Sequence, residues 1–241
     1  MSGDVSVFST AVMPPEYEYD IFVSYSRRFV RGWVPTWFRP ELIDAIADGL
    51  QRDPKVFVDT NMEAGADLPA EVAHALASSR ILMPLFSQSY PSSRWCTAEF
   101  AHMWRREEQL GLRTAQRPKG LIVPGMLVGE ERHVAPLLRR LPVTKGERLL
   151  VNVFLHEFTA ITHAQSPTLE NLRRRMQAWG LTIVDAINRA PRVPDPSWLT
   201  LAYRDLADTL YSAQVEQMSV PSLGQPSRGA PVTAQLSSLP Q

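Results

Sequence analysis

Short runs that are almost wholly apolar recur along the chain, and stretches of helical period separate them. The runs are residues 19–24, 55–59, 81–86, 121–128 and 149–154. β-Branched and aromatic side chains dominate them and polar residues bound them, so each predicts a strand. They do not alternate apolar with polar. Strands covered on both faces read this way. Between them, Leu42, Ile46 and Leu50 stand four apart. Leu68, Val72, Ala75, Leu76 and Ser79 share one helical face, with Pro69 suited to a first turn. Trp95, Glu99 and Met103 share another. Leu169, Leu172, Met176, Trp179, Ile183 and Ile187 mark a long helix starting near Ser166-Pro167-Thr168. Leu199, Ala202, Leu206 and Leu210 mark one more.

Strands alternating with helices imply right-handed βαβ units and one parallel sheet. The expected fold is α/β: a five-stranded parallel sheet of flavodoxin-like order 2-1-3-4-5, with helices on both faces. Pro124-Gly125 interrupts the fourth run, so a bulge or an edge is expected there. Residues 29–40 hold Trp33, Trp37 and Phe38 among Arg31, Arg39 and two prolines. They read as a loop whose aromatics either fold back onto the domain or form a protein-contact surface. Arg105, Arg106, Glu107 and Glu108 read as the solvated end of the central helix. The expected organisation is a flexible leader (1–17), a globular domain (18–190), a linker and helix (191–218) and a disordered tail (219–241).

Composition narrows the classes. Lys plus Arg and Asp plus Glu are 25 each, a formal charge of zero. That balance gives no footprint for nucleic acid or an anionic membrane. The lone cysteine, Cys96, excludes an intrachain disulfide and fits a reducing compartment. Residues 1–15 lack the basic start and apolar core of a signal peptide, and no run is long enough to span a bilayer. A soluble, cytoplasmic protein is expected.

If the sheet order holds, its topological switch lies between strands one and three. Tyr25, Ser26 and Arg27, after the first strand, then meet the segment from Ser87 to Glu99 in one crevice. A carboxylate one helical turn beyond a Trp, at such a place, suits chemistry on a bound small molecule; the ordinary alternative is core for Trp95 and a solvated Glu99. No Gly-rich phosphate loop occurs. His156, Glu157 and His163 lack zinc-site spacing, so no metal is expected. Cys96 reads as buried rather than reactive.

Several spaced motifs together carry a family resemblance. Residues 19–28 resemble the first strand and loop of a TIR (Toll/interleukin-1 receptor) domain. Val56 to Asp59 with Glu63-Ala64-Gly65 resemble its second strand and the following BB loop. Ser87, Tyr90, Ser93, Trp95-Cys96 and Glu99 match the box that runs from the third strand into the next helix. The resemblance covers roughly residues 18–190. It departs at the aromatic insert, in the second half, and at Ser26, where enzymatic relatives often carry a basic residue.

The resemblance implies cleavage of NAD⁺ between nicotinamide and ribose, with NAD⁺ as substrate and no separate cofactor. Enzymatic relatives carry a glutamate at the place of Glu99 and commonly an aromatic at that of Trp95. Breaking this bond places positive charge on the ribose. One carboxylate can stabilise that charge, hold the hydroxyls and assist the nucleophile, the role implied for Glu99. Trp95 would meet the pyridinium through its π face or wall the pocket. Tyr25, Ser26 and Arg27 are implied substrate contacts, by stacking or on phosphate, and Asp59 and Gly65 would shape the loop over the nicotinamide end. Surface or capping duty is the ordinary alternative for Tyr25, Arg27 and Asp59. The resemblance further implies a bacterial defence effector, homo-oligomeric through TIR–TIR contacts and triggered by a separate protein or ligand. A non-enzymatic scaffold and a cyclase making a cyclic ADP-ribose signal remain open beside it.

Overall fold

In β1 (Tyr19–Tyr25) every residue after the first is buried, and β3 (Ser79–Ser87) is buried at all positions but Arg80. Successive strand residues point to opposite faces, so both faces of the sheet are covered. The structure, a computed structural model, describes residues 16–26, 32–59, 68–139, 154–155 and 167–206. β1 pairs in parallel with β2 (Val56–Val58) and with β3, and β3 pairs in parallel with β4 (Gly125–Val128). These four strands stand in the order β2-β1-β3-β4. The expected fifth strand differs. Among the described residues two, β5 (Phe154–Leu155), pair beside β4. That overlaps the expected run 149–154 at its last residue alone, and 149–153 lie outside the described residues. So short a pairing adds little to the ladder, and the four longer strands carry the sheet.

The β3–β4 ladder has a break with a clear cause. Leu82 donates its N–H to the Leu121 carbonyl (3.1 Å) and accepts from the Val123 N–H (2.9 Å). Two residues on, the same side of β3 falls to Pro84, which has no N–H to give. By the same register Pro124 stands opposite it, and regular pairing starts again at Gly125. A further register shift between Phe86 and Ser87 makes a bulge.

Helix α1 (Arg39–Leu50) buries Leu42 and Ile46, with Pro40 in its first turn. The expected loop before it is instead a π-helical turn, Val34–Phe38, that runs straight into α1. Val34 and Phe38 are buried, and half-buried Trp33 and Trp37 pack on the core. These rings need an anchored backbone, and a helical turn satisfies its own N–H groups while providing one; residues 29–31 lie outside the described residues. α2 (Leu68–Ala77) precedes β3, and α3 (Arg94–Gln109) follows it. A short helix, α4 (Glu131–Leu138), follows β4. The long helix α5 (Pro167–Arg189) lies against α1. A Cβ on Gly180 would come within 2.5 Å of the Ala45 carbonyl oxygen, so glycine sets how closely these helices approach.

The charged end of α3 is solvated only in part: Glu108 is exposed and Arg105 half-exposed, while Arg106 and Glu107 are buried. Arg106 has no exposed surface and Glu107 is 1% exposed. Arg106 donates to the carbonyls of Leu76 (3.1 Å) and Ser79 (3.0 Å). Glu107 accepts from the backbone N–H groups of Leu121 and Ile122 and from Arg113 at 2.6 Å. Arg106 is held through both terminal nitrogens and Glu107 through both oxygens, which offsets the cost of burying the two charges. A final helix, α6 (197–206), lies beyond the expected domain end at 190, yet Trp198, Leu199, Ala202 and Leu206 join the same core. Tyr17, in the expected leader, is also buried, with the Arg80 guanidinium 4.7 Å over its ring. Residues 1–15 and 207–241 lie outside the described residues.

Candidate active site

The carboxyl ends of β1, β2 and β3 converge where the strand order reverses, between β1 and β3. β1 contributes Val23, Ser24 and Tyr25 to this crevice. Asp59, just past β2, forms a second wall. The third wall is the start of α3. β3 enters it through a 3₁₀ turn, Tyr90–Ser92, and Ser93 caps it, its side chain accepting from the Cys96 N–H at 3.3 Å. Trp95, Cys96 and Glu99 follow at helical spacing. Together these residues enclose a cavity of about 170 Å³.

Glu99 reaches the cavity with 6% of its surface exposed. Ser24 Oγ donates to Glu99 Oε2 at 2.5 Å. The hydroxyl of Tyr90 is 2.7 Å from Ser24 Oγ and 3.2 Å from the Cys96 carbonyl oxygen. A serine has one proton, and Ser24 gives it to the carboxylate, so the single Tyr90 proton serves both Ser24 Oγ and the Cys96 carbonyl. Tyr90 is fully buried, its ring edge-on to Phe86 at 5.0 Å. Burial, then the neighbouring Cys96 and Glu99, hold its hydroxyl well above the ordinary phenol range, so it stays protonated. Burial, with Glu99 second, pushes the Cys96 thiol up strongly. A thiol in that state is inert as a nucleophile, in keeping with the sequence reading.

The expected contact residues divide. Glu99, Trp95, Tyr25 and Asp59 line the cavity together. Trp95 is half-buried at its rim, and the Tyr25 hydroxyl donates to the Asp59 carbonyl at 3.1 Å, tying β1 to the end of β2. Ser26 is not among the lining residues. Its hydroxyl accepts from Ser89 at 2.9 Å, and Ser89 sits 3.2 Å from Ser87, so it stitches β1 to the turn after β3. Arg27 and Gly65 lie outside the described residues. Ser24, Tyr90 and Cys96 were not singled out as site residues from sequence. The signal for Ser24 was present, a polar residue inside an apolar strand. Among the described residues no group of three or more His, Cys, Asp or Glu is placed to hold a metal ion.

The motifs and this geometry agree with one family description. The model of the TIR domain family matches residues 21–144, just over half of the chain. This chain belongs to the TIR domain family. Every wall of the cavity lies within the matched span. Curated relatives of this TIR protein include disease resistance protein RPP2A of Arabidopsis thaliana, 34% identical over 85 residues, which are 35% of this chain and 6% of that protein. TMV resistance protein N of Nicotiana glutinosa is 31% identical over 84 residues, 34% of this chain and 7% of that protein. The chain thus spans less than a tenth of the length of these relatives. Among solved structures, the TIR domains in "Structure of the activated Roq1 resistosome directly recognizing the pathogen effector XopQ" align over 81% of this chain and 99% of that one, at 16% identity and a TM-score of 0.36. Among the described residues no helix is long and apolar enough to cross a membrane.

Proposed function

We propose that this TIR domain is an NAD⁺ nucleosidase that breaks the nicotinamide–ribose bond, with Glu99 as its catalytic residue. The observation that carries the proposal is the Glu99 carboxylate in a cavity at the switch point, held by Ser24, with Trp95 on the same wall. Nicotinamide leaves as a neutral base, so the reaction needs no acid at the leaving group. It needs negative charge beside the ribose as positive charge develops there, and one fixed carboxylate supplies that. The half-buried indole of Trp95 suits the pyridinium that departs. The cavity is smaller than the 300–1,000 Å³ usual for whole drug-sized ligands, so its described walls take one end of the dinucleotide. Tyr25 and Asp59 stand at that end, and residues 27–31 and 60–67 follow directly on the walls.

Kinship with plant disease resistance proteins favours a role in immune defence, and the TIR resemblance favours activation by self-assembly under a separate trigger. Asp59 leads into residues 60–67, the BB loop through which TIR relatives stack, so a neighbouring copy seated there would stand beside the cavity.

Incubation with NAD⁺ and chromatography of the products tests the reading. Nicotinamide should appear together with ADP-ribose or its cyclic form, the second product reporting which nucleophile reaches the ribose. Glu99→Gln keeps an acceptor for Ser24 and should lose at least about 10²-fold in turnover with an unchanged circular dichroism spectrum. Full turnover in a folded Glu99→Gln protein would reject the assignment. Absence of nicotinamide at high protein concentration, with activator supplied, would leave this domain a scaffold.

A further inference from the structure

We propose that Ser24 is a positioning residue for Glu99, with Tyr90 locking Ser24 in turn. The assignment of Glu99 to catalysis rests on the proposed function; the hydrogen-bonded geometry does not. Three side chains from three elements form a directed chain. The Tyr90 hydroxyl, on the 3₁₀ turn, donates to Ser24 on β1, and Ser24 donates to Glu99 on α3. All three are at least nine-tenths buried. Ser24 is 1% exposed, so water competes little for its hydroxyl. Tyr90 occupies its acceptor side, and its single proton points at the carboxylate.

Two consequences follow for Glu99. A carboxylate on a helix has free χ angles, and a short bond from a rigid strand fixes which way its oxygens face. A donor to the charged form also favours ionisation, while burial opposes it. Remove the donor and burial weighs more heavily, so the carboxyl should hold its proton to higher pH. Among the described residues, the titratable groups that share the cavity are Tyr25 on β1, Asp59 after β2 and Cys96 on α3, with Tyr90 behind Ser24. Asp59 is the second carboxylate on the cavity wall.

The experiment measures Glu99 itself and turnover in the same proteins. The side-chain carboxyl carbon of Glu99 is followed by ¹³C NMR against pH in the full chain, assigned by its loss in Glu99→Gln. Ser24→Ala should raise the Glu99 pKa by about one to two units, the worth of one hydrogen bond to a charged group. It should lower kcat by about 10²-fold, the usual scale for a displaced catalytic group, with KM little changed. The acid limb of the kcat profile should move up by the same shift. Tyr90→Phe should move both readouts in the same direction and less far. Asp59→Asn serves as the control, since it should leave the effect of Ser24→Ala on Glu99 in place. If alanine unfolds β1, Ser24→Cys, of similar size and a far weaker donor, carries the same test. A Glu99 pKa unmoved in folded Ser24→Ala or Ser24→Cys overturns the proposal. A shifted pKa in a protein that releases no nicotinamide upholds the positioning role and removes the NAD⁺ reading instead.

Discussion

Arg106 is a guanidinium with no exposed surface, 27 and 30 residues from the two carbonyls it serves. Its guanidinium carbon lies 3.8 Å from the centre of the Trp198 ring, and Tyr17 stands near it. Burial brings its pKa down to about 10, which leaves it charged at neutral pH. Replacing it strands two buried carbonyls and opens a gap beneath Trp198. Arg106→Met should therefore cost about 3 kcal/mol, read as a lower urea midpoint with an unchanged slope. A midpoint equal to wild type would show that the methionine stem alone does this job. Residues 105–108 are four consecutive charges, and in sequence such a run reads as solvent-facing. Their partners lie far along the chain, so no local pattern could reveal the burial of Arg106 and Glu107. The partner of Ser24 was hidden for the same reason, since Glu99 is 75 residues on. Glu99 and Trp95 were legible because one helix turn holds both.

Helix α6 lies along the back of α3, on which Glu99 is mounted. Trp198 Nε1 donates to Gln109 Oε1 at 3.0 Å, Asp205 takes Arg105, and His102 Nδ1 lies 3.5 Å from Asp205 Oδ2. Burial, only partly offset by Asp205, depresses His102 to about 4 from an ordinary 6.5. The unfolded chain takes the proton first, so this contribution is complete above pH 6.5 and is lost as pH falls from 6.5 towards 4. Between pH 7.5 and 5 the loss should be about 2 kcal/mol. Urea denaturation at the two pH values should show it, and His102→Phe should flatten the difference. An equal pH dependence in that variant would clear His102 of responsibility. At this scale the strands and long helices were legible from their periods. The π-helical turn was not, because Pro35 and three aromatics mimic a loop. Nor was α4, where Pro136 sits inside eight residues that look unhelical. Of the fifth apolar run, pairing is described at its last residue, Phe154, and at Leu155 beyond it; an apolar run predicts extension but not how much of it finds a partner.

At the scale of the whole molecule, 25 basic and 25 acidic residues cancel, so copies meet without net repulsion. Asp59, on the cavity wall, leads in sequence into residues 60–67, the segment proposed to seat a neighbour. If assembly completes the site, activity per molecule should rise with protein concentration, and Gly65→Pro should suppress the rise while leaving the thermal melt unchanged. Constant specific activity across a wide dilution series, from a species that scatters light as a monomer throughout, would count against gating by association.

The two prolines facing each other between β3 and β4 give the sheet a line of weakness. Opening spreads through a sheet along its ladder, and at Pro84 one rung is missing. A tear that begins among β4 and β5 would run out at that rung. β1, β3 and the serine–carboxylate contact lie on the unbroken side, so the half of the fold that holds the chemistry can outlast the loosening of the other.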